Sequence, residues 1–325
     1  MSMDIPVGSL QPSTAEIVTF GEAMTLLLAT DDLPLLVADR LGIGIAGAES
    51  NLATGLARLG HQVAYFGRVG ADVFGERIRR GLRAEGIDVS YLISDPELPT
   101  GLLIRDSTPG RPITVNYRRA GSAASATSVA DIPRDVIEQA RVLHATGITA
   151  ALSPSAYETT LEAMTLAREA GVTVTFDPNI RLRLADIDRW RQIIDVLARQ
   201  ADIVFTGADE SKLICVEEDP AEWYTERGAT IVVVKDGVNG ATEYGPEGTV
   251  HEGARTVTAV DPVGAGDAFN AGWLSAWLHG LPEVDRLRQG SAVASLVVAT
   301  RGDSTGLPDA TIRNAILADS QDIDR

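Results

Sequence analysis

Apolar positions in this chain recur with two periods, and the changes of period mark out its elements. Short runs rich in β-branched and aromatic residues at 17–20, 63–66, 89–93, 142–144, 172–176, 203–205 and 231–234 read as buried strands. Between them, apolar residues three and four apart predict helices at 51–59, 74–84, 154–170, 187–199, 209–215 and 220–227. Gly60 closes the first of these helices, and further helices are expected at 265–279, at 284–300 and from Ala310 onward. Strands alternating with helices imply βαβ units, hence a three-layer α/β fold: a parallel sheet with helices on both faces. The rhythm breaks twice. Residues 33–37 read as a short strand before the glycine-rich 41–47, and 102–105 with 113–117 flank Ser107-Thr108-Pro109-Gly110 like a hairpin. Residues 29–45 and 91–119 are therefore expected to form a small β lid on a body made of 1–28, 46–90 and 120–325. Such short pieces cannot bury a core of their own, so they must pack over a cleft or against another subunit, as in a homodimer through the lid.

Composition narrows the function classes. With 325 residues, 45% hydrophobic and 22% charged, the chain is an ordinary globular protein. Its net charge of −17 argues against nucleic acid and against an anionic membrane surface as partners. An anionic small molecule is not excluded, because arginines such as Arg118 or Arg181 can reverse the field inside a cleft. The single cysteine, Cys215, lies in the apolar run 213–216 and reads as a small buried hydrophobe. The start, 1–6, shows no basic segment leading into an apolar one, and no apolar run approaches the ~20 residues of a membrane span, so a cytoplasmic protein is expected.

The chemistry concentrates at Asp261-Pro262-Val263-Gly264-Ala265-Gly266-Asp267. The preceding 255–260 alternates like the end of a strand, and the apolar spacing after Gly266 is helical. A turn of nearly naked backbone thus opens a helix whose unpaired amides suit an anion, with Asp267 in or beside the first turn. From the turn alone, Asp267 is equally well a helix cap or a base that takes a proton beside a phosphoryl group. Gly42-Ile43-Gly44-Ile45-Ala46-Gly47 fits the dinucleotide pattern G-x-G-x-x-G, but 38–40 is a poor strand end and 61–68 offers no acid to meet a ribose. A phosphate-binding P-loop is excluded, since the two lysines, Lys212 and Lys235, precede Leu and Asp rather than Ser or Thr.

These residues together resemble the ribokinase-like carbohydrate kinases. The Gly264-Ala265-Gly266-Asp267 turn resembles that family's signature, in which the Asp is the catalytic base and the amides form an anion hole. Gly47-Ala48-Glu49-Ser50-Asn51 with Gly60 and Arg68-Val69-Gly70 looks like its N-terminal signature, with Ala46-Gly47 in place of the usual glycine pair. The resemblance implies that Gly47 and Asn51 lie on the substrate side. Asp177-Pro178-Asn179-Ile180-Arg181, at a strand's C-terminal end, and 144–153 resemble one branch, the 2-keto-3-deoxygluconate kinases. That branch implies a sugar-acid substrate held by Arg118 and Arg181 beside Tyr117, guanidinium being well matched to carboxylate. Asn116 and Leu103 depart from the branch, which has Tyr at both places. The Asp with which relatives acting on neutral sugars bind hydroxyls is missing from 21–27, where Glu22 reads as structural.

On the nucleotide side, Lys235, Gly237, Val238 and Gly240 resemble the family segment that lines ATP, and Asp303 falls in its nucleotide-side loop. Gly207 stands in for the Asn of an Asn-x-x-Glu motif. Its Glu, Glu210, is implied to order Mg²⁺ through water, although a first-turn helix Glu explains it equally well. The resemblance therefore implies an ATP- and Mg²⁺-dependent kinase, with a monovalent cation left open. Two other readings stay open: a family kinase for a neutral sugar or nucleoside, and a non-catalytic sugar-sensing relative.

Overall fold

The computed structural model describes residues 15–106 and 113–322, with side chains to residue 318. The turn expected at 107–110 and the segment 1–6 lie outside the described residues. Strand β1 (Ile17–Phe20) passes through three residues into β2 (Met24–Ala29) and then β3 (Leu41–Ala46). Helix α1 (Ala48–Arg58), β4 (Val63–Gly70), α2 (Val73–Ala84) and β5 (Leu92–Asp95) precede the pair β6 (Leu102–Arg105) and β7 (Val115–Arg118). After α3 (Arg134–Gln139) come β8 (Val142–Thr146), α4 (Gly147–Ala150), α5 (Pro154–Glu169), β9 (Thr173–Asp177) and α6 (Ile187–Ala198). Next are β10 (Ile203–Gly207), α7 (Ala208–Ile214), α8 (Pro220–Thr225) and β11 (Ile231–Lys235). The hairpin β12 (Ala241–Gly245) and β13 (Gly248–Glu252) leads to α9 (Ala265–Leu278), α10 (Glu283–Val298) and α11 (Ala310–Asp322).

The large sheet has the order β13-β12-β11-β10-β9-β8-β1-β4-β5. From β5 to β11 every pairing is parallel, and β12 and β13 add an antiparallel edge. Alternate residues feed opposite faces. Val18, Phe66, Leu143 and Phe176 pack with Trp190 and Ile194 of α6 on one side. Ile17, Tyr65, Val142 and Phe205 pack with Leu52 of α1 and Trp273 of α9 on the other. Each such buried side chain contributes about 1.5–3 kcal/mol over leaving it in water. Cys215 is buried, and burial pushes its thiol up to about 12, as expected of a small core residue.

The small sheet has the order β3-β2-β6-β7: two antiparallel pairs joined by the parallel pair β2–β6. This corrects the expected lid boundaries. Met24–Ala29 belongs to the small sheet, where it pairs on both sides, whereas Leu92–Asp95 pairs with β4 in the large one. Residues 33–37 form no strand; they lie in a turn with Leu36 94% exposed, and the strand on that side is the glycine-rich Leu41–Ala46. Residues 255–260 form no strand either. The amides of Val260 and Asp261 donate instead to the carbonyl of Val298, at 2.8 and 3.0 Å, so this stretch is pinned to the end of α10. Because only Gly21, Glu22 and Ala23 separate β1 from β2, the small sheet hangs directly over the C-terminal edge of the large sheet.

Candidate active site

In an open parallel sheet, ligands sit beyond the C-terminal ends of the strands, near the point where connections diverge from the first strand. Here β1 sends the chain one way to β4, while β8 sends it the other way to β9. A cleft of about 1150 Å³ opens at that edge, roofed by Met24, Leu103, Val115 and Tyr117 of the small sheet.

Asp267 lies on the first turn of α9, and the turn is built by Gly264 at φ 84°, ψ −5°. A Cβ at Gly264 would run into the carbonyl oxygen of Asp303, so only glycine fits that left-handed position. Asn51 Nδ2 donates to Asp267 Oδ2 at 2.9 Å, and Asn179 Nδ2 donates to Oδ1 at 3.3 Å. Burial pushes the Asp267 carboxyl up to about 7; the Asn51 hydrogen bond pulls the other way, and the charge on Asp177 adds to the rise. A carboxyl poised there can exchange a proton near neutral pH.

Asn270, one helical turn beyond Asp267, shares its face. Its amide donates to Asp177 Oδ2 at 2.6 Å, and its carbonyl accepts from Lys235 Nζ at 3.1 Å. Lys235 Nζ also donates to Asp177 Oδ2 at 2.7 Å. Burial alone would raise Asp177, but Lys235 and Asn270 hold it below the usual carboxylate range. Asn179 has φ 44°, a left-handed backbone stabilised by its amide donating to Asp177 Oδ1 at 3.0 Å. This strained residue presents its side chain to Asp267. His144 is buried in β8, bonded to Thr175 Oγ1 at 2.8 Å and pushed down to about 4 by burial, hence neutral.

On the other side of Asp267, Gly47 at φ 142° lets α1 begin against the link between β1 and β2, where a Cβ would strike the carbonyl of Glu22. Glu49 is buried beside it and accepts from Thr146 and Thr149, each at 2.5 Å; burial raises its carboxyl. Glu22 accepts from Arg119 Nε and Ser122 Oγ, each at 2.5 Å, the structural role expected of it. Tyr117 lies 5.3 Å from the Arg119 guanidinium.

The cleft gathers Gly47, Asn51, Tyr117 and Arg181. Gly207, Glu210, Lys235, Gly237, Val238, Gly240 and Asp303 share it with Gly264, Ala265, Gly266 and Asp267. Arg118 does not join them. Side chains alternate along β7, so Val115, Tyr117 and the following Arg119 face the cleft, while Arg118 is exposed on the opposite face. Asp303 lines the cleft, yet its carboxylate is taken by the buried Arg105, 2.6 Å away. Glu210 accepts from the amides of Ile180 at 2.8 Å and Gly207 at 3.1 Å, which makes it a helix-capping residue as well as a cleft residue. Burial raises its carboxyl, and Asp177 adds to this. Among the described residues, no group of three or more His, Cys, Asp or Glu side chains could hold a metal ion, and no helix is long and apolar enough to cross a membrane. Sequence reasoning overlooked Arg119, Glu49 and the role of Asn179. The apolar alternation of Val115 and Tyr117 was the available signal for the first.

Comparison with known proteins agrees with this architecture. Residues 14–310 match the family model described as pfkB family carbohydrate kinase. The chain is 41% identical over 299 residues to a 2-dehydro-3-deoxygluconokinase of Bacillus subtilis, covering 90% of this chain and 92% of that one. A crystal structure of a PfkB protein from Polaromonas sp. JS666 is 38% identical, with TM-score 0.84 over 93% of this chain and 99% of that one. An E. coli protein solved in complex with ATP and Mg²⁺ shares the fold at TM-score 0.85 and 24% identity, covering 94% and 99% of the two chains. The chain is a sugar kinase and belongs to the PfkB family of carbohydrate kinases.

Proposed function

We propose that this sugar kinase transfers the γ-phosphoryl group of ATP to a terminal hydroxyl of a sugar acid, 2-keto-3-deoxygluconate. The observation that carries the reading is Asp267, held between Asn51 and Asn179 at the mouth of a glycine turn, with arginines on the sugar side of the same cleft. Asp267 takes the proton of the attacking hydroxyl as its oxygen bonds to phosphorus and the bond to ADP breaks. The amides of Gly264 to Asp267 receive charge on the transferred phosphoryl oxygens, a task of positioning and electrostatics. Arg181 holds the substrate carboxylate. Its nearest carboxylate neighbour, Glu210, is 3.9 Å away, too far for a hydrogen bond. Arg119, rather than Arg118, is the second guanidinium at the lid face of the cleft, where its pairing with Glu22 gives it a supporting role.

Gly207, Lys235, Gly237, Val238 and Gly240 would line the nucleotide. Both Glu210 oxygens already accept backbone amides, so the residue suits an outer-sphere, water-mediated role toward Mg²⁺ and not direct ligation. The metal ion supplies neutralising charge on the phosphates. No role for a monovalent cation enters this reading. The exposed Leu41 and Ile43 on the free edge strand β3, with Leu36 exposed in the turn before it, support a homodimer through the lid, and a monomer in sedimentation at micromolar concentration would remove that part.

ADP release measured with 2-keto-3-deoxygluconate, fructose and ribose tests the substrate. The acid is expected to give kcat/KM at least about 100-fold above either neutral sugar, and Arg181→Ala is expected to raise KM for the acid alone. Equal rates on fructose would discard the sugar acid.

A further inference from the structure

We infer that Arg105 is a positioning residue for phosphoryl transfer: from a strand of the lid it fixes the two carboxylates, Asp261 and Asp303, that hold the Gly264–Gly266 turn in place. The inference rests on the proposed role of that turn.

Arg105 ends β6 and is fully buried, an unusual place for an arginine. Its Nη2 donates to Asp261 Oδ2 at 2.8 Å and to Asp303 Oδ1 at 2.6 Å. Its Nε donates to Asp303 Oδ1 at 3.2 Å, and Nη1 to the carbonyl of Asp106 at 3.4 Å. Asp261 is fully buried and Asp303 is 4% exposed, so neither charge can turn to water. Both carboxylates are tied to the turn itself. Asp261 Oδ1 accepts from the amide of Val263 at 3.2 Å, and its Oδ2 accepts from the amide of Gly302 at 3.1 Å. The backbone of Asp303 closes against Gly264, leaving no room for a Cβ. Position and charge of the turn thus depend on one guanidinium that belongs to another sheet.

Two consequences follow. Without Arg105, two buried carboxylates would stand uncompensated beside amides that must receive phosphoryl charge, and they would oppose it. Arg105 also lies two residues after Leu103, whose side chain lines the cleft from the same face of β6. The lid strand that lines the cleft is therefore mechanically joined to the turn that meets the phosphoryl group. The lid has a second tie to the same loop, the ion pair between Asp32 and Arg301. A planar, forked cation holds both carboxylates and the Asp106 carbonyl in one fixed geometry through Nε, Nη1 and Nη2; a lysine, with a point charge on a flexible stem, keeps the charge but not that geometry.

The test compares Arg105→Lys and Arg105→Ala with wild type. Arg105→Lys keeps a charge and is expected to fold, yet to lower kcat by about 100-fold with sugar KM changed less than about threefold, as for a turn misplaced by an ångström or less. Arg105→Ala leaves a guanidinium-shaped space between two carboxylates, so guanidinium chloride at non-denaturing concentration is expected to restore part of kcat to it and nothing to wild type. A purely structural arginine would lower thermal stability without a selective loss of kcat and without rescue. Arg105→Lys within threefold of wild-type kcat overturns the inference, as does a soluble Arg105→Ala that guanidinium does not rescue. If Arg105→Ala does not fold, Arg105→Lys alone decides. If wild type itself phosphorylates no sugar acid, the functional reading falls separately. Hydrogen exchange of the 261–267 amides then decides the clamp: faster exchange confined there and at 301–304 in Arg105→Lys supports it, and unchanged exchange removes it.

Discussion

Replacing Asp267 by Asn should stabilise the protein, and more so as the pH rises. The Asp267 carboxyl is pushed from the ordinary 3.8 to about 7, chiefly by burial. A value raised in the folded state means that the native protein holds this proton more tightly than the unfolded chain does. Its contribution is therefore greatest below pH 4, is lost progressively as the pH climbs to about 7, and is flat above. Between pH 5 and pH 8 the wild type loses about 2.6 kcal/mol through this one group. Because the side chain is only half-buried at the cleft floor, about 2 kcal/mol is the safer expectation. Asn is a fair stand-in for protonated Asp: each keeps one acceptor for one of the two donating asparagines and turns one donor to the other, which meets it by flipping its amide to present its carbonyl, so near pH 5 the two proteins should be close in stability. By pH 8 the mutant should lead by about 2 kcal/mol, or about 3 °C in midpoint for a chain of 325 residues. Urea unfolding of both proteins at the two pH values measures the difference, and titrating groups remote from Asp267 cancel in the comparison. Turnover by the mutant should be abolished while ATP binding survives. In the wild type, the acid limb of kcat/KM should break near pH 7. A mutant whose stability lead is the same at pH 5 and pH 8 would refute the raised carboxyl, and retained turnover would remove Asp267 as the base.

Two further substitutions separate neighbouring residues that look alike in sequence. Arg118→Ala should shift stability by less than about 0.5 kcal/mol and leave sugar KM unchanged, whereas Arg119→Ala strands the buried Glu22 carboxylate and should cost about 3–5 kcal/mol, read by urea unfolding. Lys235→Met should destabilise by a similar amount, because Asp177 keeps hydrogen bonds from Asn270 and the Asn179 amide but loses the cation that offsets its burial, and isothermal titration should show weakened ATP binding as well. Wild-type ATP affinity in Lys235→Met would remove this lysine from the nucleotide side.

What could be read from sequence was whatever is local. The βαβ rhythm, the glycine turn and Asp267 are set by neighbours a few residues apart, and the structure puts them in one cleft. Strand face is a harder matter: one residue of register moves a side chain to the other surface, and it is Arg119, not the expected Arg118, that lines the cleft. The apolar Met24–Ala29 was passed over as part of the body because nothing local says which sheet a strand will join. The β12–β13 hairpin went unassigned although Gly245 and Gly248 bracket its turn. The Asp177–Lys235–Asn270 group and the Arg105 clamp join residues 35 to 198 positions apart, and no periodicity reports such pairings.

The chain's net charge of −17 also misleads unless it is resolved into places. The cleft is lined by six basic and six acidic side chains, a formal balance of zero. Three of the basic groups are already committed: Arg105 to Asp303, Arg119 to Glu22 and Lys235 to Asp177. That leaves Arg181, Arg183 and Arg255 against Glu49, Glu210 and Asp267. All three of these carboxyls are raised by burial, so each resists carrying its charge, while an arginine cannot give its charge up. The cleft is therefore far less negative than the chain as a whole, which suits the two anionic substrates proposed. The same burial that raises those carboxyls sets Asp267 at about 7, where, in its proposed role as base, it would take a hydroxyl proton and still be regenerated. Ligand attraction and base strength have one physical cause here, so opening the lid to water should weaken both together.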